Sequence, residues 1–291
     1  MIARWRALTA LLIGSAMLGM LLGGCAELGS LNPAGAEQTI RKAVEKLRAG
    51  DDAAATRMFD EMLARRGVKA ETFVLVAAAC QVARRFDLCA AYAERGLRET
   101  PGATAEVHGR LHSLLGSARQ QLGDFDRAIE SHLAARHLLP TDPAVLNNLA
   151  YAYSEAPNSI DRLRDAERLA QEAIDIAAEK NASPSEMAAY LDTLGWAQLK
   201  LGKLDYALAN LTTAADTLPE ETDIMFHLAR AYQAIGRNKD AQVLYERMLR
   251  TDPKDARAAQ ALRELGALQE RTPTTGEDRP GIRAAQPTDG G

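Results

Sequence analysis

Residues 194–219 read LGWAQLKLGKLDYALANLTTAADTLP, and residues 228–253 read LARAYQAIGRNKDAQVLYERMLRTDP. The two stretches share one punctuation. Each opens on a Leu followed by a small residue (Leu194-Gly195, Leu228-Ala229). A Gly stands seven residues after the small one (Gly202, Gly236), an Ala five beyond it (Ala207, Ala241), and a Pro closes the stretch (Pro219, Pro253). Gly202 and Gly236 are 34 residues apart. Working outward, Leu115-Gly116, Gly123, Ala128 and Pro140 repeat the pattern, and Ala43, Gly50 and Ala55 begin it once more. A fixed period of this size marks a repeat architecture, with one supersecondary unit per period.

Each recurring residue has a physical task. The Leu and its small neighbour mark where one helix touches the next. The Gly ends that helix and opens a tight turn. The Ala lets a second helix approach closely, and the Pro stops it, because Pro cannot continue the hydrogen-bond ladder. A helix-turn-helix of 34 residues with small residues at these places resembles the tetratricopeptide repeat (TPR). The resemblance implies an all-α, right-handed superhelix of about six units. Two units are less regular. In one, Ala77, Cys89 and Pro101 hold the small, Ala and Pro places while Arg84 replaces the turn Gly. In the other, Leu149-Ala150 and Tyr153 fit a first helix and Ala166, Ala170 and Ala173 a second. Its joining loop around Pro157-Asn158-Ser159 is four residues longer than the pattern, and about seven extra residues follow near Asn181 to Glu186. The units lie near 36–69, 70–103, 109–142, 143–179, 188–221 and 222–254, and residues 255–268 read as the capping helix such arrays need. From Gln269 the chain turns to Thr, Pro, Gly and charge, a composition expected to be disordered.

The first 25 residues carry a separate signal. Arg4-Trp5-Arg6 is a short positive start, Ala7 to Leu22 is uncharged and apolar or small, and Leu22-Gly23-Gly24-Cys25 follows. This is the layout of a secretory signal peptide. The other reading is a membrane anchor, but the apolar run is shorter than the roughly 20 residues a spanning helix needs. The Leu-Gly-Gly-Cys ending resembles the lipobox of bacterial lipoproteins, which implies cleavage before Cys25 and acylation of that residue. Ala26, rather than Asp, implies sorting to the outer membrane, facing the periplasm. The expected organisation is therefore a signal peptide over 1–24, a tether over 25–35, a TPR solenoid over 36–268 and a tail over 269–291.

The chain has 291 residues, 47% apolar and 25% charged, with 5% aromatic. Few aromatics with abundant Ala and Leu favour packed helices over sheets. The formal charge is −4, and beyond the first 24 residues 33 basic face 39 acidic residues, which is not the footprint of a nucleic-acid binder. His108 and His112 lie one helical turn apart, a spacing metal sites use, but no third ligand stands nearby, so no metal is expected. His132 falls where the repeats pack a large side chain. No Gly-x-Ser-x-Gly, phosphate-cradling loop or paired-carboxylate signature occurs, and no catalytic residue, cofactor or small-molecule substrate is expected. Once Cys25 is acylated, Cys80 and Cys89 are the thiols left. They fall on facing helices of one hairpin, either as two small buried hydrophobes or, in an oxidising compartment, as a disulfide.

In the resembled family the inner, concave surface comes from the first helices. That register places Asn147, Tyr151, Ser154, Asp192, Trp196, Leu199, Phe226, Arg230 and Gln233 on it, with Arg110, Ser113, Ser117 and Gln120 further along. The alternative is that Tyr151, Trp196 and Phe226 pack between helices. Arrays that grip the acidic C-termini of heat-shock chaperones carry Lys, Arg and Asn in this groove. The matching places here hold Ser113, Ser117, Ala189 and Thr193, so that clamp is absent. Asn148 matches a structural Asn of the repeat. The layout is similar to TPR lipoproteins of type IV pilus, Tad-type and exopolysaccharide systems. It implies a scaffold or adaptor that binds protein partners of an envelope complex, or else an adaptor presenting substrates to a periplasmic protease or peptidoglycan enzyme.

Overall fold

The computed structural model describes residues 33–271 apart from 66, 157 and 158, so Cys25 and the segment around it lie outside the described residues. The described residues form thirteen α-helices: α1 (Pro33–Arg48), α2 (Asp52–Leu63), α3 (Glu71–Val82), α4 (Phe86–Glu99), α5 (Ala105–Gln121), α6 (Phe125–Leu138), α7 (Pro143–Glu155), α8 (Ile160–Glu179), α9 (Pro184–Lys200), α10 (Leu204–Thr217), α11 (Thr222–Ala234), α12 (Asn238–Thr251) and α13 (Ala256–Arg271). Consecutive helices pair as hairpins, and each first helix also packs on the first helix of the next hairpin. The result is an all-α solenoid of six hairpins capped by α13. The borders differ slightly from those read in the sequence. Residues 33–35 of the expected tether begin α1, and residues 269–271 of the expected tail end α13.

The hairpin turns form for the reason the spacing suggested. Gly202 has φ +75°, and its amide donates to Leu199 O while the Lys203 amide donates to Gln198 O. This double bond closes the helix only when the residue between adopts the left-handed conformation that Gly enters freely. The same pair of bonds recurs at Arg84, where the Arg84 amide reaches Gln81 O and the Arg85 amide reaches Cys80 O. Arg84 itself is held at φ +58°. The opposite ends of the helices are closed by side chains. Asp142 accepts from the amides of Ala144 and Val145 ahead of Pro143, and Ser183 with Glu186 forms a reciprocal cap ahead of Pro184.

Within a hairpin the helices come close because one carries no side chain at the crossing. A Cβ on Gly195 would stand 2.7 Å from Leu211 Cγ, and one on Gly116 would stand 2.6 Å from His132 Cε1. Burial then follows the repeats. Residues 72–80 of α3 are buried without interruption, including Val74 and Ala78 at the groove places of the second unit. A helix that is apolar all round must be enclosed, and α3 is, by α1, α4 and α5. The inner wall of the second repeat therefore offers a partner little exposed side chain.

The fourth hairpin departs from the rest. α8 has 20 residues, where α4, α6, α10 and α12 have 14 each. Part of the extra length seen in the sequence is thus helix rather than loop: it extends α8, and it starts α9 at Pro184, four residues before the unit border at 188.

Candidate functional site

The inner wall of repeats four to six is carried by α7, α9 and α11. α9 packs against both neighbours. Side chains one repeat apart meet across these contacts. The Trp196 indole N–H and the Lys200 ammonium both donate to Glu155 Oε1 at 2.7 Å, and Lys200 Nζ also donates to Ser154 O at 2.6 Å. Lys200 Nζ stands 4.7 Å from the Trp196 ring centroid, within cation–π reach. Burial works against the Glu155 carboxylate, but the Lys200 ammonium and the indole N–H outweigh it and hold the carboxyl below its ordinary value.

One helix on, His227 Nδ1–H donates to both carboxylate oxygens of Asp192 at 2.9 Å. The carboxylate can only accept, so the proton sits on Nδ1. The His227 ring stacks on Trp196 with centroids 4.2 Å apart and an interplanar angle of 20°. Tyr151 and Phe226 close the cluster at 6.1 Å each from His227. Burial, with Glu155, Asp223 and Asp192 nearby, pushes the Tyr151 phenol well above its ordinary range. At the far end the Arg257 guanidinium lies 5.1 Å from the Phe226 ring centroid and pairs with Asp223 at 2.8 Å. Burial opposes its charge, but Asp255 and Asp223 raise its pKa beyond the usual arginine range. An aromatic and ionic spine thus runs from α7 to α13.

The residues read from the sequence divide on this geometry. Asn147, Tyr151, Leu199, Phe226 and Gln233 are half-buried and Arg230 is exposed, so these six present surface along the wall. Ser154, Asp192 and Trp196, expected in the groove, are buried instead. Ser154 is 1% exposed, and its hydroxyl donates to Ala150 O within its own helix. Asp192 is 7% exposed against His227, and Trp196 is 8% exposed under Lys200, Phe226 and His227. Phe226 and His227 on α11, and Lys200 one turn along α9 itself, stand against Trp196. Gln233 accepts from Tyr245 Oη at 2.6 Å and from Arg230 at 3.3 Å, which fixes its orientation. Asn148 donates to Ser113 Oγ at 3.0 Å and ties α7 to α5.

Glu155, Lys200, His227, Asp223 and Arg257 were not singled out in the sequence. A signal existed for two pairs. Asp223 and Arg257 hold the same place of successive units, 34 residues apart, and so do Glu155 and Lys200 once the 11 extra residues between them are discounted. Opposite charges one period apart on first helices meet.

The other candidates have different settings. Cys80 and Cys89 are free thiols, both buried, rather than a disulfide, and Cys89 Sγ faces Leu114 O at 3.7 Å. His108 Nε2 bonds to the Thr100 carbonyl oxygen at 2.8 Å. Among the described residues no three metal-ligating side chains gather, and no helix is long and apolar enough to cross a membrane.

Comparison with known proteins agrees with this architecture. Models described as tetratricopeptide repeat match residues 111–144 and 198–265. A protein CTR9 homolog of Arabidopsis thaliana is 27% identical over 140 residues, 48% of this chain and 12% of that protein. The crystal structure of the APC/C hetero-tetramer Cut9–Hcn1 superposes with a TM-score of 0.62 at 19% identity, covering 85% of this chain and 46% of that one. TTC0263, a thermophilic TPR protein of Thermus thermophilus, superposes with a TM-score of 0.54 at 23% identity, covering 67% of this chain and 100% of that one. The chain spans about an eighth of the curated relative and less than half of the first of these structures, so the likeness concerns the repeat frame. With the period of 34 residues, the glycine turns and the stacked hairpins, these matches show that the all-α solenoid contains tetratricopeptide repeats, over residues 111–144 and 198–265.

Proposed function

We propose that the chain is a lipid-anchored scaffold of a bacterial envelope machine, which holds a segment of another protein along the inner wall of repeats four to six and does no chemistry itself. Stacked repeats present long continuous surfaces of this kind. The observation that carries the site is the spine from Glu155 to Arg257. It fixes the wall before any partner arrives and leaves Arg230, Phe226, Tyr151 and Asn147 at its surface. Interfaces draw their energy from aromatic and Arg side chains, and a wall already rigid loses little entropy on binding. Anchoring rests on the Leu22-Gly23-Gly24-Cys25 ending. Two or more acyl chains there would hold the protein at a membrane where one would not. With α1 starting at Pro33, a tether of eight residues reaches at most roughly 29 Å, so the array would work close to the bilayer.

The test places a photo-crosslinking residue at Arg230 or Asn147 in living cells, with Leu133 and Val243, exposed on the second helices α6 and α12, as controls. The wall positions are expected to capture one and the same envelope protein. Capture from the control positions alone would move the site off the inner wall. For the anchor, labelled palmitate is expected to enter the wild-type chain and not Cys25→Ala, whose precursor stays uncleaved. A wild-type chain that keeps residue 1 would rule the anchor out.

A further inference from the structure

We propose that the chain forms a two-fold symmetric dimer through the outward face of α8. This helix buries Ala166, Leu169, Ala170, Ala173 and Ala177 against the array. At 3.6 residues per turn, Arg164, Arg168, Gln171, Glu172, Asp175 and Glu179 fall within about 100° of arc on the opposite side. Glu172 is half-buried and the other five are exposed.

The order of this stripe is palindromic in position and inverted in charge. Its steps are four, three, one, three and four residues, with arginines in the first half and acids in the second. Two such helices laid antiparallel about a dyad between residues 171 and 172 bring Arg164 of each copy opposite Glu179 of the other. They bring Arg168 of each opposite Asp175 of the other, with Gln171 facing Glu172 near the axis. A two-fold contact pairs residue i with j and j with i, so one stripe supplies four ion pairs. A parallel arrangement would set like charge on like.

The surroundings suit the contact. A cleft of about 600 Å³ runs beside α8, floored by Leu194 and Gln198 of α9, with room for long side chains of a second helix. The stripe spans 16 residues, which the second helices of the other repeats, 12 or 14 residues long, could not carry. Arg164 and Arg168 now pair with Asp161, Asp165 and Glu172 at 3.1, 3.2 and 3.5 Å, all on their own exposed face. Pairs of that kind hold weakly and can exchange for pairs across an interface, where water is partly excluded.

Sedimentation velocity and native mass spectrometry on the full-length chain test this, with circular dichroism confirming that every variant is folded. The wild type is expected to dimerise with concentration and to dissociate in about 1 M salt, where screening leaves a Debye length of about 3 Å. R164E/R168E and D175R/E179R are each expected to weaken the dimer at least about tenfold, because each sets like charges together. Mixing the two variants is expected to give a heterodimer, since all four pairs are then opposite in sign, and the four substitutions in one chain are expected to restore the homodimer. A wild-type chain still monomeric at about 100 μM, a dimer indifferent to both double variants, or a mixture that forms no heterodimer would each overturn the proposal.

Discussion

His132 sits in α6 with 0% exposure, and neither ring nitrogen has a hydrogen-bond partner among the described residues. Its ring faces the gap left by Gly116 on α5. Burial pushes its pKa down to about 4, from an ordinary 6.5. The folded value lies below the unfolded one, so the stability that depends on a neutral ring is fully present above pH 6.5 and is lost as pH falls from 6.5 to about 4. A separation of that size corresponds to about 3 kcal/mol. His132→Leu removes the titration and breaks no hydrogen bond. It also relieves two buried, unpartnered polar atoms, each of which costs about 1–3 kcal/mol. The variant is expected to match or exceed the wild type at pH 7, and its advantage is expected to grow by about 3 kcal/mol by pH 4. Urea unfolding followed by far-ultraviolet circular dichroism at several pH values measures the difference, and amide exchange in α5 and α6 locates it. Other titrating groups are common to both chains and cancel. Two curves that stay parallel within about 0.5 kcal/mol from pH 7 to 4 would refute the reasoning, because His132 would then have a proton partner in the fold.

Three further outcomes are expected. Arg84→Gly relieves a left-handed conformation costing about 1–2 kcal/mol, against the 0.5–1 kcal/mol that Gly loses in chain entropy; it should stabilise by up to about 1 kcal/mol in urea titration, and a destabilisation would show that the Arg84 side chain matters more than its backbone. Trp196→Ala empties a packed position and should cost about 3 kcal/mol, whereas exposed Arg230→Ala should stay within about 0.5 kcal/mol of wild type; equal effects in thermal melts would contradict the burial difference. The Cys80 and Cys89 thiols are raised by burial, Cys89 to about 12, so a thiol reagent should find neither in the folded protein and both in denaturant without reductant; a count of zero in denaturant would mean a bridge.

What could be read in the sequence was local. The Gly202 and Gly236 turns, the Leu-Gly and Leu-Ala crossings and the stop prolines each act within one hairpin, so their spacing carried the whole frame. The wall was half legible. Register put Arg230 and Phe226 at its surface, but Trp196 and Asp192 were buried by His227 and Glu155, which belong to neighbouring repeats, and by Lys200, one turn beyond Trp196 on their own helix. The Glu155–Lys200 pair hid because an insertion stretched its spacing to 45 residues, beyond the 34 that betrays Asp223–Arg257. The Asp192–His227 bond joins different places of two units, so no periodic rule announces it. The extra residues near Pro157 and Asn181 read as loop because Pro and Asn break helices, yet α8 absorbed part of the length.

The apolar clusters do not run unbroken along the solenoid. One gathers Ala36 to Ala118 and ends on α5, and the next begins with Ile129 on α6. The division passes through the middle of the third hairpin, where Gly116, His132, Ala128 and Ala135 bring the helices close while contributing little apolar volume. The Arg119 guanidinium donates to Ser131 Oγ at 2.9 Å across it. A load applied between the two ends of the array would meet several apolar cores in series, since repeats five and six divide again among three further clusters. An array hung from one end and gripped at the other would then share the strain among its cores, as links share the pull along a chain.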